Sequence, residues 1–143
     1  MKLTDHFTLQ EMTISVTAPR LGIDNTPSAR ALANLLRLCA FLEQVRSVAG
    51  GRVLISSGYR SSALNRAIGG ASNSAHCTGL AADFIVPKLT PRQLAHAIAD
   101  SHLMFDQLIL EYDQWVHVAL ANSPMRRQIL TVRKGTGYMS GLV

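Results

Sequence analysis

The sequence predicts an α+β fold, a small antiparallel sheet flanked by helices. Three observations carry that expectation. Residues 27–48 are apolar at helical spacing, several short runs rich in Val, Ile and Leu are bounded by glycine or proline, and two of these runs lie close enough together to pair as a hairpin. With 143 residues, 48% of them hydrophobic, and no repeats or low-complexity linkers, residues 1–143 are expected to form one domain with its own core.

In chain order, TLQEM at 8–12 reads as a short helix. Gly22 to Pro27 is a loop that puts Thr26 at an N-cap and Pro27 at the first helical position of the long helix. That helix carries Leu32, Leu35, Leu36, Cys39, Leu42 and Val45 on its apolar side and ends at Gly50-Gly51. A strand is predicted from Val53 to Ser57. A polar loop, GYRSSALNRAIGGASNS, follows with one helical turn around Ser62–Ile68. Ala81 to Val86 reads as a strand, and Thr90-Pro91 opens a second helix that runs to about Ser101. Phe105–Tyr112 and Trp115–Leu120 form the hairpin, and residues 127–134 make a further strand.

A formal charge of +5 favours an anionic partner, either nucleic acid or a cell-wall polymer bearing phosphate and carboxylate. The basic residues are scattered rather than grouped in a run, and three tyrosines with one tryptophan offer few stacking platforms, so nucleic acid is not the expected partner. Cys39 lies within the long helical pattern and Cys77 beside a histidine, which does not suggest a disulfide framework. No stretch has the length of a membrane span, and the N-terminus, MKLTDHFTLQEM, lacks an apolar h-region. The expectation is cytoplasmic synthesis without a signal peptide, no membrane insertion and a monomer.

The most informative segment is SAHCTGLAAD, Ser74 to Asp83, in which His76 and Asp83 stand seven positions apart around Gly79. Trp115-Val116-His117 supplies a second imidazole downstream. Two histidines and one acid make a three-ligand set that leaves the fourth tetrahedral position of a zinc ion to water, whereas structural sites usually close with four ligands rich in cysteine. Strand parity is compatible with this. Ala81, Asp83 and Ile85 share one face of their strand, and Trp115, His117 and Ala119 share one face of theirs, so Asp83 and His117 meet if the strands are neighbours. The turn at Gly79 would then bring His76 over. Cys77, taken to follow His76 on an extended segment, points the other way and is not counted as a ligand.

The same segment matches, at every fixed position, the Ser-x-His-x-x-Gly-x-Ala-x-Asp signature of zinc peptidases of the M15 type. These include D-alanyl-D-alanine carboxypeptidases, D-Ala-D-Ala dipeptidases and phage L-alanyl-D-glutamate endolysins. FTLQEMTIS, GIDNTP and SSGYRSSALNRAIGGASNS resemble the family in order and spacing, so the resemblance covers most of residues 7–120. It implies a Hedgehog/D-Ala-D-Ala-peptidase-like fold, Zn2+ held by His76, Asp83 and His117, substrate contact through Arg60, a supporting role for Ser74, and a peptidoglycan peptide as substrate. It does not fix which peptide bond is cut.

Zinc lowers the pKa of a bound water from about 15.7 towards about 7 and polarises a scissile carbonyl. Arg60 is the candidate for a substrate carboxylate or the developing oxyanion, because a guanidinium meets carboxyl groups in bidentate geometry. A general base is also required. Many relatives carry an acid three residues before the last ligand, but that position is Gln114 here. Glu111 is assigned as base and Asp113 is the fallback. A two-residue turn at Asp113-Gln114 would aim Glu111 away from His117, so the assignment requires an odd-length loop or a bulge. Trp115 shares parity with His117 and is placed beside the substrate cleft.

His6, His96 and His102 lack partners at ligand spacing, and no histidine and acid are arranged to activate Ser56, Ser57, Ser61 or Ser62. Asn65, Gly69 and Gly70 are expected to shape the loop that holds Arg60 and delivers His76. Two functions remain open: a zinc peptidase of peptidoglycan stem peptides acting on the wall once released by phage-type lysis, or a catalytically impaired zinc-containing cell-wall-binding domain, which the glutamine at Gln114 would suit.

Overall fold

In the computed structural model, which describes residues 1–143, the chain opens with a two-stranded ribbon, β1 (Lys2–Thr4) and β2 (Phe7–Thr8). The one-turn helix α1 (Leu9–Met12) follows, fixed at its start by a reciprocal capping box between Thr8 and Glu11. A second turn, α2 (Thr17–Arg20), was not anticipated from the sequence.

The long helix α3 (Ala29–Ala49) begins later than predicted. Ser28, not Thr26, is the N-cap: its hydroxyl accepts the Ala31 N–H at 3.1 Å, while the Thr26 N–H donates to the Asp24 side chain at 2.9 Å and belongs to the preceding turn. Gly50 ends the helix in the left-handed region, as the sequence suggested. The buried stripe runs through Leu35, Leu38, Cys39, Phe41, Leu42 and Val45, while Leu36 is exposed. At 100° per residue Leu36 turns off the stripe that Leu35 occupies, and Leu38 and Phe41 close the gap instead.

A six-stranded sheet carries the rest. Its strands are β3 (Leu54–Ser57), β4 (Ala81–Ile85), β5 (Gln107–Glu111), β6 (Trp115–Ala119), β7 (Gln128–Arg133) and β8 (Gly137–Ser140), in the order β3-β4-β6-β5-β7-β8. Helix α4 (Ser62–Ala67) and a 3-10 turn (Ala75–Thr78) lie between β3 and β4, and α5 (Pro91–Ala99) lies between β4 and β5. Thr90 and Gln93 form the capping box of α5, with Pro91 at its start as predicted. Strand β8 was not foreseen.

The expectation of a wholly antiparallel sheet is corrected at one place: β5 and β7 pair in parallel. Strand β6 ends beside the start of β5, and the link 120–127 passes over that end, so β7 starts where β5 starts. Two arginines pin the link. Arg126 grips the Asp106 carboxylate with Nε at 3.1 Å and Nη2 at 2.8 Å, and Arg127 donates to the carbonyls of Ala99, Ser101 and Leu103.

Period-two alternation separates the two faces of the sheet. Ala82 and Phe84 of β4, Leu108 and Leu110 of β5, and Val116 and Val118 of β6 are buried in one hydrophobic cluster with the apolar sides of α3 and α5. Asp83, Glu111, Trp115 and His117 therefore project from the opposite face. No helix is long and apolar enough to cross a membrane.

Candidate metal centre

Sheet register sets the first two members of the centre. Asp83 of β4 and His117 of β6 are direct cross-strand partners, and His117 Nδ1 lies 2.9 Å from Asp83 Oδ1. His76 arrives from the 3-10 turn. The Ser74 hydroxyl caps that turn by accepting the His76 N–H at 3.2 Å, and Gly79 ends it at φ +80°. A side chain at Gly79 would meet the Ala31 carbonyl oxygen of α3 at 2.6 Å, so both its backbone angle and its close approach call for glycine. The turn is helical, which corrects the extended setting expected for Cys77.

His76 is buried, and its Nδ1 lies 2.7 Å from the Gly58 carbonyl oxygen. A proton on Nδ1 would be donated there, leaving Nε2 as a lone-pair donor 3.4 Å from Asp83 Oδ1. The His76 and His117 ring centroids are 5.2 Å apart, and one donor atom from each of the three residues lies within 4.8 Å of the others. A tetrahedral ion with bonds of about 2.0–2.2 Å holds its donors about 3.3–3.6 Å apart, the His76–Asp83 separation of 3.4 Å matches this, and two imidazoles with one carboxylate are a zinc-type donor set. Burial alone would raise the Asp83 pKa, but hydrogen bonds and charge from His117 and His76 outweigh it and hold the carboxyl well below the usual range.

Glu111 reaches the same face because the β5–β6 loop has three residues, Tyr112 to Gln114, and pairs Glu111 with Trp115. Tyr112 and Asp113 adopt positive φ, 57° and 53°, to make that tight loop. Glu111 Oε1 lies 3.8 Å from His117 Nδ1. Burial, then the charge of Asp83, raises its pKa, and the cationic influence of His117 and Arg60 opposes the rise. Asp113 behaves differently: it is exposed, and its carboxylate is paired with Arg133 at 2.8 Å and Arg92 at 3.2 Å. The hydrogen bond from Arg133 comes first among the causes that lower its pKa.

Arg60 is tied to the histidine turn. Its backbone N–H donates to the His76 carbonyl at 3.1 Å and its Nη2 to Ser74 Oγ at 3.5 Å, while its Nε is covered and unpaired. Trp115 lies on the open face, its ring 5.6 Å from that of Tyr112, and its indole N–H makes no hydrogen bond. The loop behaves as its composition suggested, with the Asn65 amide donating to the Ala71 carbonyl at 2.8 Å.

Two positioning residues escaped the sequence reading. Gly58 supplies the carbonyl that holds His76, and a Cβ there would sit 2.4 Å from the Met12 carbonyl oxygen. Asn25 donates to the Thr13 and Tyr59 carbonyls and accepts the Ser61 N–H, joining the segments around Arg60. Their only signals were a glycine just past a strand and an asparagine in the DNTP turn. Cys39 is a buried thiol pushed up to about 12 by desolvation, and His6 pairs with Glu43 on the surface. A cavity of about 230 Å³ beside Arg37, Phe41, Met104 and Met125 is lined by no acid or histidine.

A family model described as Peptidase M15 matches residues 5–119. No curated protein matches the chain.

Proposed function

The chain belongs to the Peptidase M15 family, and from that premise we propose that it is a zinc-dependent peptidase hydrolysing the stem peptides of peptidoglycan. In this reading residues 1–143 work as one zinc peptidase domain on a Hedgehog/D-Ala-D-Ala-peptidase-like fold. The activity is that of an L-Ala-D-Glu endopeptidase or a D-Ala-D-Ala carboxypeptidase, of phage-endolysin type. The observation that carries the proposal is the convergence of three donor groups, one each from His76, Asp83 and His117, on one point of the open sheet face.

These three side chains would hold the ion. Zinc so bound supplies Lewis acidity, lowering the pKa of water towards about 7 and polarising a carbonyl oxygen. The chain's own residues do the rest. The Gly58 carbonyl fixes the orientation of His76 through Nδ1, so that Nε2 faces the centre. Glu111, on the same face as His117, takes the proton of the attacking water and returns it to the leaving amine. Its raised proton affinity suits a group that must both accept and release a proton. Arg60, steadied by Ser74, binds a substrate carboxylate or the negative charge developing on the scissile oxygen. Trp115 borders the substrate. Asp113, engaged by Arg92 and Arg133, holds the β5–β6 loop in place rather than serving as base.

Metal analysis of the purified protein, together with mass spectrometry of products from defined muropeptides, tests the proposal. New amines should appear, disappear with a chelator and return with zinc, and the amine exposed identifies the bond. Stoichiometric zinc without any new amine would favour the catalytically impaired wall-binding domain. A protein that takes up no zinc would overturn both readings.

A further inference from the structure

The chain has eight aromatic rings of Phe, Tyr and Trp, and five of them, Phe7, Phe41, Tyr59, Phe84 and Phe105, are buried. The other three gather at one end of the candidate metal centre. Trp115 pairs with Glu111, Glu111 with Val132, and Val132 with Tyr138, so these side chains form one cross-strand row on the open face of β6, β5, β7 and β8. The neighbouring row contains Asp83 and His117. Tyr112 turns its ring towards Trp115 at an interplanar angle of 49°. Tyr112 is 45% exposed and Tyr138 67%, whereas Val132 between them is 7% exposed and forms an apolar floor. Strand β8, which carries Tyr138, lies beyond the residues matched by the family model.

An exposed aromatic group beside reactive side chains needs a partner with an apolar face and a polar rim. The phenol hydroxyls of Tyr112 and Tyr138 supply polar groups at the edge of the rings, while the Trp115 indole N–H is covered and Trp115 offers its ring alone. The charges nearby narrow the choice. Arg92 and Arg133 are already paired with Asp113, and Glu111 contributes a carboxylate, so nothing in the row favours an anionic ligand. A neutral sugar ring, with C–H groups on its face and hydroxyl and acetamide groups at its rim, meets these requirements.

We infer that Tyr112, Trp115 and Tyr138 form a saccharide-stacking subsite, so that the preferred substrate is a stem peptide still attached to its N-acetylated amino sugar. The inference rests on the peptidase reading of the adjacent centre and adds to it the end of the substrate that is recognised. Rows two residues apart along a strand are separated by about 6.5 Å. One amino acid and a short acyl linker span about 7 Å. A sugar on the aromatic row therefore leaves the bond after the first stem residue over His76, Asp83 and His117, which favours cleavage near the glycan over cleavage at the far end of the peptide.

Trp115 is the chain's one tryptophan, so its fluorescence reports the subsite directly. The disaccharide of N-acetylglucosamine and N-acetylmuramic acid, with its lactyl carboxyl capped as the amide to keep it neutral, should shift that emission saturably when titrated into the zinc-loaded protein. Tyr138→Ala should weaken the binding about fivefold, whereas Tyr138→Phe, which keeps the ring, should bind as the unmodified chain does. Thermal melts of both variants confirm that the fold is intact. In turnover, Tyr138→Ala should raise KM for the disaccharide-linked tetrapeptide more than for the free tetrapeptide. No response to the disaccharide, equal affinity in Tyr138→Ala, or a response to the free tetrapeptide alone would overturn the inference. The binding measurement does not require catalysis, so a saccharide response without turnover would reject the peptidase reading alone, and turnover without one would reject the subsite alone.

Discussion

Glu111 and Asp113 show how two acids two residues apart acquire different surroundings. Glu111 is covered and faces His117, and Asp113 is exposed between two arginines. Glu111→Gln should lower kcat by about 10²- to 10⁴-fold with zinc content unchanged, because it removes a proton acceptor without removing a ligand. Asp113→Asn should keep most of the activity, its ion pairs being exposed and weak. The opposite pattern in a side-by-side assay would transfer the base role to Asp113. A pH profile adds a second check. The Arg60 cation favours the ionised form of Glu111, so its loss raises the pKa further and the base becomes protonated at a higher pH. The acid limb of kcat/KM in Arg60→Gln should therefore lie at higher pH than in the unmodified chain.

Local elements were legible where side chain and backbone chemistry coincide. The capping boxes at Thr8 and Thr90, Pro91 at the start of α5 and Gly50 at the end of α3 are all readable signals. The start of α3 was misread because Thr26 and Ser28 both resemble caps, and only the Asp24 turn decides between them. The turn that carries His76 offers the sharpest test at this scale. Gly79→Ala should cost about 2 kcal/mol or more, from the left-handed backbone and the contact with Ala31, and should reduce zinc uptake by displacing His76. Gly135→Ala, at φ +79° with open space around it, should lose stability from backbone strain alone and retain zinc. Urea denaturation and metal analysis of the pair check this. Equal zinc loss in both would disconnect the α3 contact from the centre.

For the whole molecule, the net charge is +5 and no helix is long and apolar enough to cross a membrane. If that charge draws the protein to an anionic wall, salt should slow its action on intact cell walls much more than on a small soluble muropeptide. Parallel rate measurements across a salt series test this, and equal salt sensitivity for the two substrates would remove attraction to the wall as the cause. The sheet also shows a limit of reading by hairpins. The parallel β5–β7 pairing depends on where the link 120–127 lands, and Arg126 and Arg127 fix that landing through groups more than 19 residues away in sequence.

The sequence by itself determined the residue types of the centre and the parity of their strands, because ligand chemistry and the period of two are local properties. It also required an odd-length loop for Glu111. Tertiary structure decided that Asp83 and His117 are direct partners, that Gly58 holds His76, and that Tyr138 joins the row of Trp115 and Glu111. Those facts depend on strand order and on close approaches between distant segments, and the folded chain fixes them through long-range packing that no local pattern encodes.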